Sequence, residues 1–188
     1  SEDIVIKEYA KNKYGFSGDE KVIGIILGSQ GAKRVNEMLL ECIQELSGKY
    51  GIIWATGQSY YQDIFEKCKN ISNVKVFPFI EDVNTFMCAV DVVISRAGAS
   101  TLSEIAFFGV PSILIPFPYA SKNHQYYNAL FFETHGAGII IEESEISSDK
   151  LISVLDFVFK NIDTFRSNVK KLFPSDVNQR VVDIILSD

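Results

Sequence analysis

Histidine and cysteine are scarce in this chain of 188 residues. Two histidines, His124 and His135, are too few for a multi-histidine metal centre. The three cysteines, Cys42, Cys68 and Cys88, are odd in number, far apart and never in a C-x-x-C pair. That argues against a disulfide framework or a zinc site and fits reduced thiols. No D-x-D occurs, so the sequence lacks the carboxylate pair that would signal a metal-bridged diphosphate, and no metal is expected. No apolar run approaches the roughly 18 residues of a membrane span. The start, Ser1-Glu2-Asp3, is polar and resembles no signal peptide. Positive charge is also in deficit, with 18 Lys and Arg against 24 Asp and Glu, a net charge of −6. A protein that grips phosphate backbones carries the opposite balance, so nucleic acid is a poor partner.

What the chain has is a core. Hydrophobic residues make up 47%, enough for one domain of this length, and the charged share of 22% is ordinary for a folded protein. The apolar runs Val22–Leu27, Gly51–Ala55, Val74–Phe79, Asp91–Ser95, Ser112–Pro116 and Gly138–Glu142 read as six short strands buried on both faces. Between them lie helical stretches at Ala32–Leu46, Tyr60–Lys69, Val83–Ala89, Ser100–Phe108 and His124–His135. A short helix within Ile4–Phe16, after an extended start, precedes them. Helices near Ser148–Lys160, Ile162–Leu172 and Val177–Leu186 close the chain, with 162–188 reading as a helical appendage to a single domain. Alternating strands and helices predict an α/β, Rossmann-like, doubly wound parallel sheet. Ligands of such sheets sit beyond the carboxyl ends of the strands, so the residues just after each strand matter most.

Three of those loops carry the signal. Gly28-Ser29-Gln30-Gly31-Ala32 turns the first strand into a helix with few side chains, which leaves amides and a helix terminus for an anion such as phosphate. The same loop would also serve as a plain tight turn. Ser95-Arg96-Ala97-Gly98-Ala99-Ser100-Thr101-Leu102-Ser103-Glu104 is a second small-residue loop opening a helix. Thr101 and Glu104 fit a capping box, in which Glu104 serves its own helix. The functional alternative is a carboxylate accepting two hydrogen bonds from a vicinal diol such as ribose. Two anion loops at neighbouring strand ends point to a nucleoside diphosphate. After the fifth strand, Pro116 to Gln125 is a stiffened polar loop, with Asn123 as the expected N-cap and His124 and Gln125 aimed at the strand ends. Phe77, Phe79 and Ile80 end the third strand and would pack in the core or cover a flat base.

Taken in order, Gly28 to Ala32, Phe79-Ile80-Glu81-Asp82, Ser95 to Glu104 and Asn123-His124-Gln125-Tyr126-Tyr127-Asn128-Ala129 resemble the C-terminal half of the MurG family of bacterial glycosyltransferases, glycosyltransferase family 28. The likeness runs from about Ile4 to Leu186. It implies one half of a GT-B architecture: the half that binds the donor, UDP-N-acetylglucosamine, while an N-terminal half absent from this chain binds the lipid-linked acceptor and meets the membrane. It further implies that Gly28, Ser29, Gln30 and Gly31 lie against the diphosphate and that Phe79 and Ile80 receive uracil. Gly98, Ser100 and Thr101 would support phosphate, and Glu104 would take the ribose. His124, Gln125 and Asn128 would meet the sugar. No catalytic residue is expected in this half. Leu27 stands where the family often has a glycine, and the family's N-P-x-R segment would fall at or before Ser1. The resemblance implies a cytoplasmic enzyme, peripheral on the inner face of the cell membrane, whose donor half transfers nothing alone. Two alternatives stay open: a stand-alone UDP-N-acetylglucosamine-binding subunit that needs a membrane partner, and a related nucleotide-sugar hydrolase.

Overall fold

The computed structural model describes residues 2–28 and 31–172. Its strands are β1 Val22–Ile26, β2 Gly51–Ala55, β3 Val74–Phe77, β4 Val92–Ser95, β5 Ser112–Leu114 and β6 Gly138–Ile140. They form one parallel sheet in the order β3-β2-β1-β4-β5-β6. The helices are α1 Glu2–Lys13, α2 Lys33–Ser47, α3 Tyr61–Cys68, α4 Val83–Ala89, α5 Ala99–Phe108, α6 His124–Thr134, α7 Ser148–Lys160 and α8 Ile162–Leu172. The expected α/β sheet is therefore present, with corrections at its edges. Helix α1 starts at Glu2, with no extended start. Strand β3 stops at Phe77 because Pro78 has no N–H to continue the ladder, so Phe79 and Ile80 belong to the following loop. Strand β5 stops at Leu114, before Pro116. The helix expected at Val177–Leu186 lies outside the described residues.

Each strand feeds both faces of the sheet, as period-two geometry requires. Ile23, Ile25, Ile52, Trp54, Val92, Ile94 and Ile113 point to one side, against Val35 and Leu39 of α2 and Leu151 and Leu155 of α7. Val22, Ile53, Val93 and Leu114 point to the other, against Phe86 of α4, Ile105 of α5 and Phe132 of α6. Burying a side chain such as Ile25 or Leu39 stabilises the fold by roughly 1.5–3 kcal/mol. Helix α5 ends where Gly109 adopts φ 67°, a left-handed cap that spares a Cβ clash with its own turn.

The foot of the sheet is tied by Asp91, just before β4. Its Oδ2 accepts from the Val22 N–H at 2.9 Å, which fixes the start of β1. The carboxylate also meets Lys7 at 2.5 Å, Lys11 at 3.1 Å and Arg166 at 2.7 Å, joining α1 and α8 to the sheet. Burial opposes ionisation of Asp91, yet Lys7, the Val22 N–H and Lys11 outweigh it and hold the carboxyl below its ordinary value.

Candidate functional site at the crest of the sheet

Strand register lines up one row of ends. Ile26 pairs with Ala55 on one side and Ser95 on the other; Ala55 pairs with Phe77, Ser95 with Leu114, and Leu114 with Ile140. The loops that follow these residues therefore leave the sheet side by side. Adjacent β1 and β4 send their helices to opposite faces: α2 joins the first apolar cluster and α5 the second. A crevice opens where the chain diverges in this way, and it is the place where doubly wound sheets hold ligands.

Among the described residues, the two helices that start at this crevice are uncapped. Helix α2 begins after Ala32 and α5 after Gly98, neither with a side-chain cap, whereas Asp82 caps α4 and Ser147 caps α7. Uncapped first-turn amides carry partial positive charge that an anion can satisfy. Gly31 makes the first loop possible. Its φ is 71°, and a Cβ there would stand 2.3 Å from the Thr56 carbonyl oxygen and 2.8 Å from the Tyr60 ring. Beneath it, Asn36 on α2 donates to the same Thr56 carbonyl at 2.9 Å and accepts from Trp54 Nε1 at 3.1 Å. This buried chain of bonds locks α2 onto β2. Among the described residues, nothing lies within 4 Å of where a Cβ would stand on Gly28 or Gly98. Ser29 and Gln30 lie outside the described residues.

The capping box expected at Thr101 and Glu104 does not form. Helix α5 already starts at Ala99, because the small residues before Thr101 enter the helix without obstruction, and Thr101 sits inside the first turn. Glu104 is half-buried and makes no hydrogen bond or ion pair among the described residues. Ser100 is exposed and Thr101 half-buried, beside the open amides of the same turn. After β3, Phe79 is 51% exposed, which removes it from the core, while Ile80 packs partly against the second cluster.

Asn123 holds the N-cap position of α6, as expected, but without a capping bond. This residue has φ 54°, follows Lys122 at φ 51°, and makes no side-chain cap; a short 3-10 turn over Ser121–Asn123 leads into α6 instead. A left-handed backbone does not give the extended geometry that an N-cap uses. His124 Nδ1 donates to the Ser121 carbonyl at 2.7 Å, which leaves Nε2 without a hydrogen bond among the described residues. Gln125 Oε1 accepts from the Phe117 N–H at 3.0 Å. Asn128 Nδ2 donates to the Ala97 carbonyl at 3.1 Å, joining α6 to the β4 loop. The register and these bonds bring Gly28, Gly31, Gly98, Ser100, Thr101, Glu104, Gln125 and Asn128 to one end of the sheet, with Phe79 and Ile80 two strands away from β1.

Two residues at this end escaped the sequence reading. Arg96 ion-pairs with Glu143 at 2.5 Å and donates to the carbonyls of Ile115 and Pro116 at 3.1 and 3.3 Å. Arg96 stood inside a motif already noted, but no spacing linked it to a carboxylate beyond β6. Beside this pair, a cleft of about 410 Å³ is lined in part by Arg34, Tyr119, Tyr126, Glu142 and Glu143. Among the described residues, no cluster of three or more His, Cys, Asp or Glu could hold a metal ion.

Residues 22–181 match the glycosyltransferase family 28 C-terminal domain. The chain belongs to that family. A relative from Aquifex aeolicus, named UDP-N-acetylglucosamine--N-acetylmuramyl-(pentapeptide) pyrophosphoryl-undecaprenol N-acetylglucosamine transferase, is 37% identical over 96% of this chain and 52% of its own length. A Bacillus subtilis protein of the same name is 33% identical over 92% of this chain and 50% of its own. The chain thus spans about half the length of these curated relatives. The crystal structure of Acinetobacter baumannii MurG superposes with a TM-score of 0.75 at 26% identity, over 98% of this chain and 55% of that one. WaaG, a glycosyltransferase involved in lipopolysaccharide biosynthesis, shares the fold at a TM-score of 0.63 and 20% identity. The family 28 sheet described above is thus the Rossmann-like unit these glycosyltransferases have in common.

Proposed function

We propose that this chain is the donor-binding half of an inverting glycosyltransferase that moves N-acetylglucosamine from UDP-N-acetylglucosamine to the lipid-linked muramyl-pentapeptide in peptidoglycan synthesis. One observation carries the reading: among the described residues, the two helices that start at the crevice between β1 and β4 lack side-chain caps, and Glu104, on the second of them, has an unpartnered carboxylate. Amides around Gly28, Gly31 and Gly98, with Ser29, Gln30, Ser100 and Thr101, receive the diphosphate. Glu104 accepts from the two ribose hydroxyls. Ile80 backbone groups meet the uracil edge with Phe79 beside it, and His124, Gln125 and Asn128 face the sugar.

In transfer, an acceptor hydroxyl forms a new bond to the anomeric carbon as the bond to the diphosphate breaks from the opposite side. The leaving UDP takes the electron pair, and the proton passes to a base outside this half. The work of this chain is to hold the leaving group in a field of preorganised amides, where the developing charge is stabilised. Acceptor and membrane contacts belong to the other half, and we place the whole protein on the cytoplasmic face of the membrane. Among the described residues no helix is long and apolar enough to cross it.

Calorimetric titration tests the reading. UDP and UDP-N-acetylglucosamine should bind, GDP should bind more weakly, and no sugar should be transferred by this chain alone. Absence of binding at saturating UDP, or equal affinity for GDP, would overturn the assignment.

A further inference from the structure

The Arg96–Glu143 pair sits where the loops after β4, β5 and β6 meet, and its geometry decides how one other side chain is presented. The Arg96 guanidinium donates from Nη1 to the carbonyls of Ile115 and Pro116, and its Nη2 stands 2.5 Å from Glu143 Oε2, an ion-pair contact without hydrogen-bond alignment. Its carbon lies 5.5 Å from the centroid of the Phe117 ring. Both side chains are largely buried, 13% and 18% exposed, so water competes little for these contacts.

The carbonyl of Pro116 and the N–H of Phe117 are the two ends of one peptide unit. In a planar trans peptide they point in opposite directions. Arg96 holds the carbonyl end, and Gln125 Oε1 accepts from the N–H end at 3.0 Å. Because a backbone N–H can only donate, the Gln125 amide must turn its oxygen inward. Its Nε2, with two N–H donors, is then the end left for a ligand. Were this peptide to rotate, a carbonyl would face Gln125, the amide would turn over, and an acceptor would face the ligand instead.

We infer that Arg96, clamped by Glu143, is a positioning residue that fixes the Pro116–Phe117 peptide plane and thereby makes Gln125 a hydrogen-bond donor to oxygen atoms of the donor sugar. The inference rests on the donor-binding reading above and adds to it a polarity and the residue that sets it. The nucleoside and diphosphate contacts, carried by the β1, β3 and β4 loops, do not depend on this peptide.

The test is the ratio of the Kd for UDP to that for UDP-N-acetylglucosamine, measured by calorimetry on the whole chain. In Arg96→Gln this ratio should fall by about three- to tenfold, the worth of one or two neutral hydrogen bonds, while the Kd for UDP moves less than twofold. Gln125→Glu is the sharper probe. Its carboxylate still accepts from Phe117 N–H but offers the sugar no donor, so it should lose the same increment, and adding Arg96→Gln should lower the ratio no further. If Arg96→Gln does not fold, Glu143→Gln, which loosens the clamp, replaces it. An unchanged ratio in Arg96→Gln or Gln125→Glu overturns the inference, as does a parallel loss of affinity for both ligands in Arg96→Gln, which would mark Arg96 as loop support alone. A wild-type ratio near one also overturns it. Failure of the wild-type chain to bind UDP is a separate result, against the donor reading itself.

Discussion

The two ends of the sheet treat their polar groups in opposite ways. At the foot, Asp91 meets three cations and a backbone N–H, so four groups from α1, β1 and α8 find their partner within the fold. At the crest, among the described residues, the first-turn amides of α2 and α5 have no side-chain cap and Glu104 has no partner. The same strands connect the two ends, so composition does not explain the difference. A group satisfied inside the fold contributes to stability; a group held in place but left unsatisfied is available to a ligand. The foot should therefore govern folding and the crest binding, with little crossover.

The largest break in that division should come from Asp91→Asn. It leaves Lys7, Lys11 and Arg166 gathered around a neutral group, and removing one partner of such a buried cluster costs about 3–5 kcal/mol. Urea denaturation should show this loss, while UDP affinity of the molecules that remain folded should match wild type. A loss below about 1 kcal/mol would mean that the cluster contributes no more than an exposed pair. The same carboxylate sets the acid limit. Its value in the folded chain is depressed below that of the unfolded chain, so its stabilisation is fully present above about pH 4 and is lost as pH falls through the folded value. A melting curve followed from pH 6 to pH 3 should therefore fall more steeply in wild type than in Asp91→Asn. Parallel curves would remove Asp91 as the source.

Glu104→Ala probes the other end. A carboxylate accepting from two hydroxyls contributes roughly 1.5–3 kcal/mol, so UDP affinity should drop about ten- to a hundredfold. Since Glu104 caps nothing and pairs with nothing among the described residues, the melting temperature should stay within about 1 °C, as for surface changes away from special features. Unchanged affinity would remove the ribose assignment. A large loss of stability with affinity retained would restore the capping role that the sequence pattern gave this residue.

That last contrast shows where sequence is legible. The sheet could be read because buried parallel strands are apolar on both faces, and runs such as VIGII and VVIS have no other ready use. The glycine loop could be read because Gly31 answers a steric demand, the approach of the Thr56 carbonyl. The capping box at Thr101 and Glu104 misled because local spacing cannot tell where a helix starts when residues as small as Ala99 and Ser100 precede it. Asn123 was legible as to position but not as to role: it precedes α6 as expected, yet its left-handed backbone, which Asn tolerates, leaves the capping bond unmade. The Arg96–Glu143 clamp was illegible because it joins the ends of β4 and β6, with α5, β5 and α6 between them in the chain. Only the fold makes them neighbours.

The smallest effect concerns strain at the crest. Lys122 and Asn123 both hold positive φ immediately before His124. Asn tolerates that region, but for a long side chain such as Lys it costs roughly 1–2 kcal/mol. The Lys122 side chain is exposed and, among the described residues, makes no hydrogen bond or ion pair that would repay the cost. Lys122→Gly should relieve it, less the extra chain entropy that glycine gives the unfolded state, for a net gain of about 0.5–1 kcal/mol. In a domain of this size that raises the melting temperature by about 2 °C. Such a gain would show that the crest holds a conformation its own sequence disfavours, as functional loops do, and the contrast with the foot would extend from polar groups to the backbone. A variant no more stable than wild type would confine the contrast to the polar groups.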